Sequence, residues 1–279
     1  MLHLLIVEGN TADIRAKHVE TGGEIAHRLY ARALEHTGIA FTHDVIFAAD
    51  ADAALPPGSV LESYDGIVWT GSALNIYQGG FPVQRQLDLA RACFASGVPQ
   101  FGSCWGLQVA VAAAGGDVIK NPKGREIGIA RDIRLTPAGR AHSMYVGKGD
   151  VFDALAVHKD TIAILPPGAE ILASNAISDV QAASFFVERG EFWGVQYHPE
   201  YHFGEVAACM RRYRDALVAE GLFANADELL KLSSCYEALD RGARPTTFGL
   251  DALGDDVRDP AHRMTELRNW LAHLSTRAG

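Results

Sequence analysis

Cysteine and positive charge are both scarce in this chain of 279 residues. The four cysteines (Cys93, Cys104, Cys209, Cys235) lack the CxxC spacing of a zinc site or redox motif. Because no disulfide framework is indicated, we expect a reducing, cytoplasmic setting. The 25 lysines and arginines against 34 aspartates and glutamates give a formal net charge of −9. This balance leaves no basic surplus for binding nucleic acid or an anionic membrane surface.

Long apolar runs, internal repeats and low-complexity segments are missing as well. No apolar run approaches the roughly 20 residues that a membrane-spanning helix needs. Residues 1–8 are apolar, but they lack the basic start and the small-residue cleavage site of a signal peptide. We therefore expect neither a membrane span nor a cleaved leader.

Short apolar stretches alternate with helical stretches that end at glycine over the first 116 residues. The pattern predicts buried strands and helices in turn, at residues 2–7, 22–37, 41–47, 66–69, 82–96, 97–101 and 107–114. This alternation predicts an α/β fold with a doubly wound, mostly parallel sheet. Residues 117–200 predict short strands separated by turns, which add an antiparallel or mixed extension.

Helix-forming residues dominate beyond Phe203. Residues 205–220 predict one helix, and Asn225 with Glu228 resembles a capping box that opens another. A final helix follows Asp259-Pro260, with its apolar face at Met264, Leu267, Leu271 and Leu274. We predict a domain at residues 1–203 and a helical extension at residues 204–279 that packs on it rather than on a partner.

The stretch Gly102-x-Cys104-x-Gly106 lies between a predicted strand and a predicted helix. Glycines on either side of such a turn let the chain bend sharply and expose the side chain at its apex in a strained conformation. The helix N-terminus beneath it lowers the pKa of a thiol and offers free N–H groups to an oxyanion. Cys104 is therefore predicted to be a nucleophile; a buried structural cysteine is the alternative.

A second motif, His198-Pro199-Glu200, ends a predicted strand at residues 191–197. Side chains at positions i and i+2 of an extended segment point to the same side, so Glu200 can orient the imidazole of His198 toward a thiol. His202 continues the alternation and raises the alternative of a metal site. Thiol chemistry needs no metal and no further acidic cluster is present, so we expect neither a metal nor a cofactor.

These two motifs, with Trp69-Thr70-Gly71-Ser72 at another strand end, resemble the class I (triad-type) glutamine amidotransferases over about residues 1–203. The similarity is greatest to the glutaminase domain of GMP synthase and its stand-alone relatives. The resemblance implies Cys104 as nucleophile, His198 as base and Glu200 as the group that orients it. One departure is that the family often has Gly-Gly-Pro at residues 70–72, so we expect a differently shaped or less well formed oxyanion loop.

The resemblance also implies roles for backbone and substrate-contacting groups. The N–H groups of Gly71 and Trp105 would form the oxyanion hole, and Gln108 would help to hold the substrate. Ser72 and His158 are further candidates for substrate contact. The segment Val157-His158-Lys159-Asp160 resembles one that faces the site in this family, and a surface loop is the alternative that stays open.

The implied reaction is hydrolysis of the γ-amide of glutamine through a cysteine thioester. Neither a P-loop nor a Ser-Gly-Gly nucleotide loop follows Phe203, so no synthetase half is expected in the chain. The ammonia acceptor is open, and a separate synthetase subunit or a homodimer is possible. One alternative is a free-standing hydrolase of γ-glutamyl amides or peptides; another is a non-catalytic regulatory protein on the same fold.

Overall fold

The computed structural model of the chain describes residues 1–277. Its strands are β1 (Leu2–Val7), β2 (Phe41–Ile46), β3 (Gly66–Trp69), β4 (Gln100–Ser103), β5 (Asp117–Lys120), β6 (Glu126–Leu135), β7 (Val151–His158), β8 (Asp160–Ile164), β9 (Glu170–Ser174), β10 (Ala182–Val187) and β11 (Gly190–Val195). Its α-helices are α1 (Ala12–Glu20), α2 (Ala26–Glu35), α3 (Phe81–Ser96), α4 (Trp105–Ala113), α5 (Pro137–Ala141), α6 (Phe203–Arg212), α7 (Arg214–Ala219), α8 (Ala226–Asp240), α9 (Asp255–Arg258), α10 (Pro260–Arg263) and α11 (Thr265–Arg277).

The main sheet has nine strands in the order β2-β1-β3-β4-β11-β10-β9-β6-β7. The first five strands are parallel to one another, and the remaining four each run antiparallel to their neighbours. Strands β5 and β8 pair separately. The prediction of a doubly wound, mostly parallel sheet with an antiparallel extension is confirmed.

The parallel strands are apolar on both faces because helices cover both faces. In β1, Leu4 and Ile6 lie in a cluster with α2 and α11, while Leu5 and Val7 lie in a second cluster with α3 and α4. All four side chains are fully buried. An unbroken apolar run therefore specifies a central strand, and the carboxyl ends of β1, β3, β4 and β11 meet at one edge of the sheet.

The helices that follow residue 203 pack on the rest of the chain. The predicted apolar face of α11 is buried, and the indole of Trp270 lies 5.8 Å from the ring of Phe101 in β4, centroid to centroid. A side chain at Gly66 would lie only 2.5 Å from Leu274, so α11 sits directly against β3. The division into two domains at residue 203 stays a prediction. None of the helices that the structure describes has the length and apolar character to cross a membrane.

Several element bounds differ from the predicted ones. Helix α1 was missed because it has almost no buried face: His18 is its one buried residue. Strand β7 was missed because its alanines are weak strand formers that tertiary packing holds in the sheet. The helix predicted at residues 205–220 is two helices, which meet at Tyr213. Strand β11 ends at Val195, so His198 and Glu200 lie in a turn and not in an extended segment.

Candidate active site

Cys104 occupies the turn between β4 and α4 in a strained backbone conformation. Its φ is 51° and its ψ is −102°, a region that costs a non-glycine residue about 1–3 kcal/mol. The surrounding structure holds it there: the Cys104 N–H donates to the carbonyl of Val195 at 2.8 Å, and Sγ lies 3.7 Å from the carbonyl oxygen of Val157. Strain at this position fixes the direction of the thiol.

The flanking glycines serve close packing and not backbone freedom, contrary to the expectation from sequence. Neither Gly102 nor Gly106 has a positive φ. A Cβ at Gly102 would lie 2.7 Å from the carbonyl carbon of Gly106, and a Cβ at Gly106 would lie 2.6 Å from Cβ of Trp69. The thiol is also not exposed to bulk solvent, since Cys104 is only 6% exposed. It is reached through cavities.

His198 and Glu200 form a buried pair beside this thiol. Nδ1 of His198 lies 2.7 Å from Oε1 of Glu200, which leaves Nε2 for Cys104. Burial by itself lowers the pKa of His198, but the charge of Glu200 and hydrogen bonds to Cys104 and Glu200 raise it overall, to about 10. The imidazolium is therefore the favoured form of His198 at neutral pH. The ring of Tyr201 stacks on the imidazole at 3.8 Å.

Two residues that the sequence did not single out hold Glu200. The hydroxyl of Ser103 lies 3.0 Å from each carboxylate oxygen of Glu200, and Tyr30 donates to Ser103 at 2.5 Å. Burial and the nearby Glu200 charge raise the pKa of Tyr30 well above its ordinary value, so it remains a donor. The position of Ser103, next to Cys104 at the end of a buried strand, could have indicated a role for it. Nothing in the sequence indicated Tyr30, which lies on α2, far from Ser103 along the chain.

The loop after β3 brings Gly71 against the imidazole. A Cβ at this position would lie 2.8 Å from Cε1 of His198. Within the described residues, neither the Gly71 N–H nor the Trp105 N–H donates to another protein group. Asn10 donates to the Gly71 carbonyl at 3.3 Å, and the buried carboxylate of Glu8 accepts from Asn10 in turn. This polar triplet after β1, Glu8-Gly9-Asn10, follows a parallel strand, a signal that sequence reasoning did not use.

Thr70 and Ser72 connect the loop after β3 to the loop after β1 by hydrogen bonds. The hydroxyl of Thr70 accepts from the Gly9 N–H at 3.0 Å, and the hydroxyl of Ser72 donates to the Gly9 carbonyl at 2.9 Å. The two loops therefore hold each other through side-chain hydroxyls.

Two cavities reach the thiol of Cys104. The larger cavity has a volume of about 170 Å³, and its lining includes Gln108, His158, Asp160 and Arg125. The smaller cavity, about 40 Å³, contacts His198, Gly71, Tyr201 and Glu205. Ser72, Val157 and Tyr213 line both. The Cys104 thiol thus lies where two cavities of different size and composition meet.

The predicted substrate residues line the larger cavity but already have protein partners. Gln108 donates to Gln196 at 3.2 Å, and the Ser72 hydroxyl is held in its loop. His158 ends β7 and is buried, so the surface-loop alternative is wrong. Its Nδ1 bonds the carbonyl of Asp160 at 3.0 Å and its Nε2 lies 2.8 Å from Glu126. Burial raises the pKa of Glu126, but hydrogen bonds led by that from His158 lower it overall.

The larger cavity carries charges of both signs, which the sequence did not reveal. The buried Asp160 accepts from Asn75 at 2.6 Å and from the Tyr77 hydroxyl at 3.0 Å. Burial, with Asp160 nearby, raises the pKa of Tyr77 to about 12. Arg125 lies across the cavity and pairs with Glu220 at 2.8 Å. The lining of this cavity therefore includes an acidic and a basic side chain, each with a protein partner.

The alternation of His198, Glu200 and His202 does not form a metal site, because His202 turns away to Asp240 at 2.5 Å. A different group, His18, Glu205 and Cys209, has its ligand atoms within 4.8 Å of one another in the described part of the chain. Nε2 of His18 and Oε1 of Glu205 are in direct hydrogen-bond contact. These two side chains therefore serve each other as partners, and the group offers only three ligands, so we do not assign a metal to it.

A doubly wound sheet that holds a strained cysteine beside a buried His–Glu pair at the carboxyl ends of its strands is an arrangement typical of cysteine hydrolases. The family model "Glutamine amidotransferase class-I" matches residues 23–211, most of the chain. The protein belongs to the class I glutamine amidotransferases.

Particular relatives differ in how much of the chain they share. A γ-glutamyl-L-1-hydroxyisopropylamide hydrolase from Pseudomonas sp. is 33% identical over 98% of this chain and 93% of its own length. The glutamine-hydrolysing GMP synthase of Leifsonia xyli is 31% identical over 63% of this chain, which spans only 31% of that protein.

Solved structures show the same fold at low sequence identity. A glutamine amidotransferase from Thermotoga maritima matches with a TM-score of 0.63 at 17% identity, covering 95% of this chain and 98% of that one. A second, from Methylobacillus flagellatus, has a TM-score of 0.57 at 20% identity and covers 99% and 93% of the two chains.

Proposed function

We propose that the protein is a free-standing hydrolase of γ-glutamyl amides that works through a thioester on Cys104. The observation that carries this proposal is the strained Cys104 beside a buried, charged His198–Glu200 pair. Family membership supports amide hydrolysis of this kind. The Pseudomonas relative, which is named for hydrolysis of an N-substituted γ-glutamyl amide, matches 98% of the chain, including the C-terminal helices. The GMP synthase of Leifsonia xyli matches only 63% of it.

In the acylation step the Cys104 sulfur attacks the γ-carbonyl carbon of the substrate. The N–H groups of Gly71 and Trp105 receive the oxyanion; loss of one such donor typically costs about 2.7–4 kcal/mol of transition-state stabilisation. The C–N bond breaks as Nε2 of His198 gives its proton to the leaving amine. His198 then takes a proton from water, whose oxygen attacks the thioester carbon and releases glutamate and the free thiolate.

The larger cavity suits the amino-acid head of the γ-glutamyl group. The Asp160 carboxylate offers a partner to its ammonium group, and Lys159 and Arg125 line the same cavity for its carboxylate. Gln108 and Ser72 complete the lining. His158, with both ring nitrogens occupied, positions Asp160 and does not bind the substrate directly.

A second candidate is a glutaminase subunit that supplies ammonia to a separate synthetase. The similarity to the glutaminase part of GMP synthases favours it. Such a subunit has weak activity alone and needs its partner, whereas the hydrolase is active by itself. A non-catalytic regulatory protein gains no support from a chain that retains the cysteine, the histidine and the glutamate together.

The test is release of glutamate and amine by the purified full chain from glutamine, short γ-glutamyl alkylamides and γ-glutamyl dipeptides. We expect turnover of N-substituted amides that exceeds turnover of glutamine and is abolished in Cys104→Ala. Cys93→Ala is the matched control, because Cys93 is buried in α3 and lines neither cavity. A folded protein that turns over none of these compounds contradicts the hydrolase and leaves the synthetase subunit.

A further inference from the structure

The position of the group that protonates the leaving amine determines on which side of the Cys104 thiol the amine departs. In the proposed reaction, on which this inference rests, His198 protonates the departing nitrogen. His198 lines the smaller cavity, whereas the larger cavity touches Cys104 without touching His198. The acyl group therefore occupies the larger cavity, and the amine leaves through the smaller one.

The smaller cavity limits the size of that amine. It offers about 40 Å³, against about 170 Å³ on the acyl side. The amine side of the thiol is therefore the narrower of the two. An amine with a short chain fits, and an aromatic amine or a long side chain does not.

The wall of the smaller cavity carries a buried carboxylate with acceptor capacity to spare. Glu205 is 2% exposed; its Oε1 contacts Nε2 of His18 and its Oε2 accepts from the Glu24 N–H at 3.0 Å. A carboxylate has about four acceptor positions, so two remain after these bonds. Cys209 lies one helical turn further along α6 and lines the same cavity.

We propose that the smaller cavity is a leaving-group subsite that selects short amines bearing a hydroxyl group, with Glu205 accepting the hydroxyl proton. A leaving amino acid places its own carboxylate near Glu205, where two like charges repel in a poorly solvated site. Arg212 also lines the cavity, but it is only half-buried and lies beside the Tyr213 ring. γ-Glutamyl dipeptides are therefore poorer substrates than hydroxyalkylamides.

The test compares two leaving groups of equal size, ethanolamine and propylamine, as their γ-glutamyl amides. A hydrogen bond to a charged acceptor predicts that kcat/KM favours the hydroxyethylamide by about 10- to 100-fold. In Glu205→Gln the preference falls to a few-fold, while in Glu237→Gln, whose carboxylate pairs with Arg211 away from both cavities, it is unchanged. Each ratio is taken within one variant, so partial loss of folded protein cancels.

A second variant tests the size limit independently. Cys209→Ala enlarges the smaller cavity and shifts the preference from ethylamide toward butylamide, and Cys93→Ala does not. Three results overturn this inference and leave the proposed function standing. They are turnover without any preference for the hydroxyl, a preference that survives in Glu205→Gln, and a better rate with γ-glutamyl-glycine than with the hydroxyethylamide. Absence of turnover with every amide overturns the proposed function and this subsite with it.

Discussion

Replacing Glu200 with glutamine tests the charge that holds His198 in its protonated form. The pKa of His198 is raised from 6.5 to about 10 in the structure. Glu200→Gln removes the charged acceptor of the hydrogen bond from Nδ1 of His198. A hydrogen bond to a charged group is typically worth about 1.5–3 kcal/mol, so we expect kcat/KM to fall by roughly 10- to 150-fold.

The pH dependence of the same variant follows from the sign of that shift. A raised pKa keeps His198 as the imidazolium, the form that gives a proton to the leaving amine, until the pH rises through the pKa of about 10. Activity in the wild type is therefore lost on the alkaline side near that value. Without the Glu200 charge the pKa of His198 falls, so the alkaline limb of the kcat/KM profile moves to lower pH.

The assay is steady-state hydrolysis of a γ-glutamyl alkylamide from neutral to alkaline pH. Glu191→Gln is the matched control, since Glu191 is also buried and also pairs with a histidine, His273 at 3.0 Å, outside both cavities. We expect the control to retain the wild-type profile. A Glu200→Gln enzyme with a rate within a few-fold of wild type and an unmoved alkaline limb refutes the assignment of Glu200.

Three other substitutions give separate tests. Cys104→Gly relieves the strain of the positive φ of 51°, so we expect the free energy of unfolding to rise by about 1–3 kcal/mol and activity to be abolished. A lower melting temperature would contradict stored strain at this position. Gly71→Ala places a Cβ 2.8 Å from the His198 ring and displaces the imidazole, so kcat should fall by roughly 100-fold without a large loss of stability. A near-normal kcat rules out that contact. Trp270→Ala should lower stability by about 3–5 kcal/mol in a single cooperative transition; two separate transitions would show that the C-terminal helices fold independently.

The parts of the fold that local pattern determines could be predicted from the sequence. The apolar run of β1 is buried on both sides, and the spacing of Leu267, Leu271 and Leu274 matches the buried face of α11, with Met264 buried just before that helix. The motif Gly102-x-Cys104-x-Gly106 correctly located Cys104 between a strand and a helix. In each case neighbouring residues carry the whole signal.

The parts that depend on distant contacts could not be predicted. Strand β7 contains alanines that pair with β6, so its burial and not its composition makes it a strand. His158 has partners at positions 126 and 160, and Tyr30 reaches Ser103 over 73 residues. Gly102 and Gly106 are required because α4 packs too closely for a side chain at either position, against β4 and β3. A local motif does not show such a tertiary contact.

The most direct test of the account is to look for the acyl-enzyme itself. Acid quenching during turnover of a γ-glutamyl amide, followed by mass spectrometry of the digested protein, reports which side chain carries a γ-glutamyl group. The account predicts the adduct on the peptide that contains Cys104, sensitive to hydroxylamine and missing from Cys104→Ala. Turnover that persists in Cys104→Ala, with no adduct on the wild-type peptide, would contradict it.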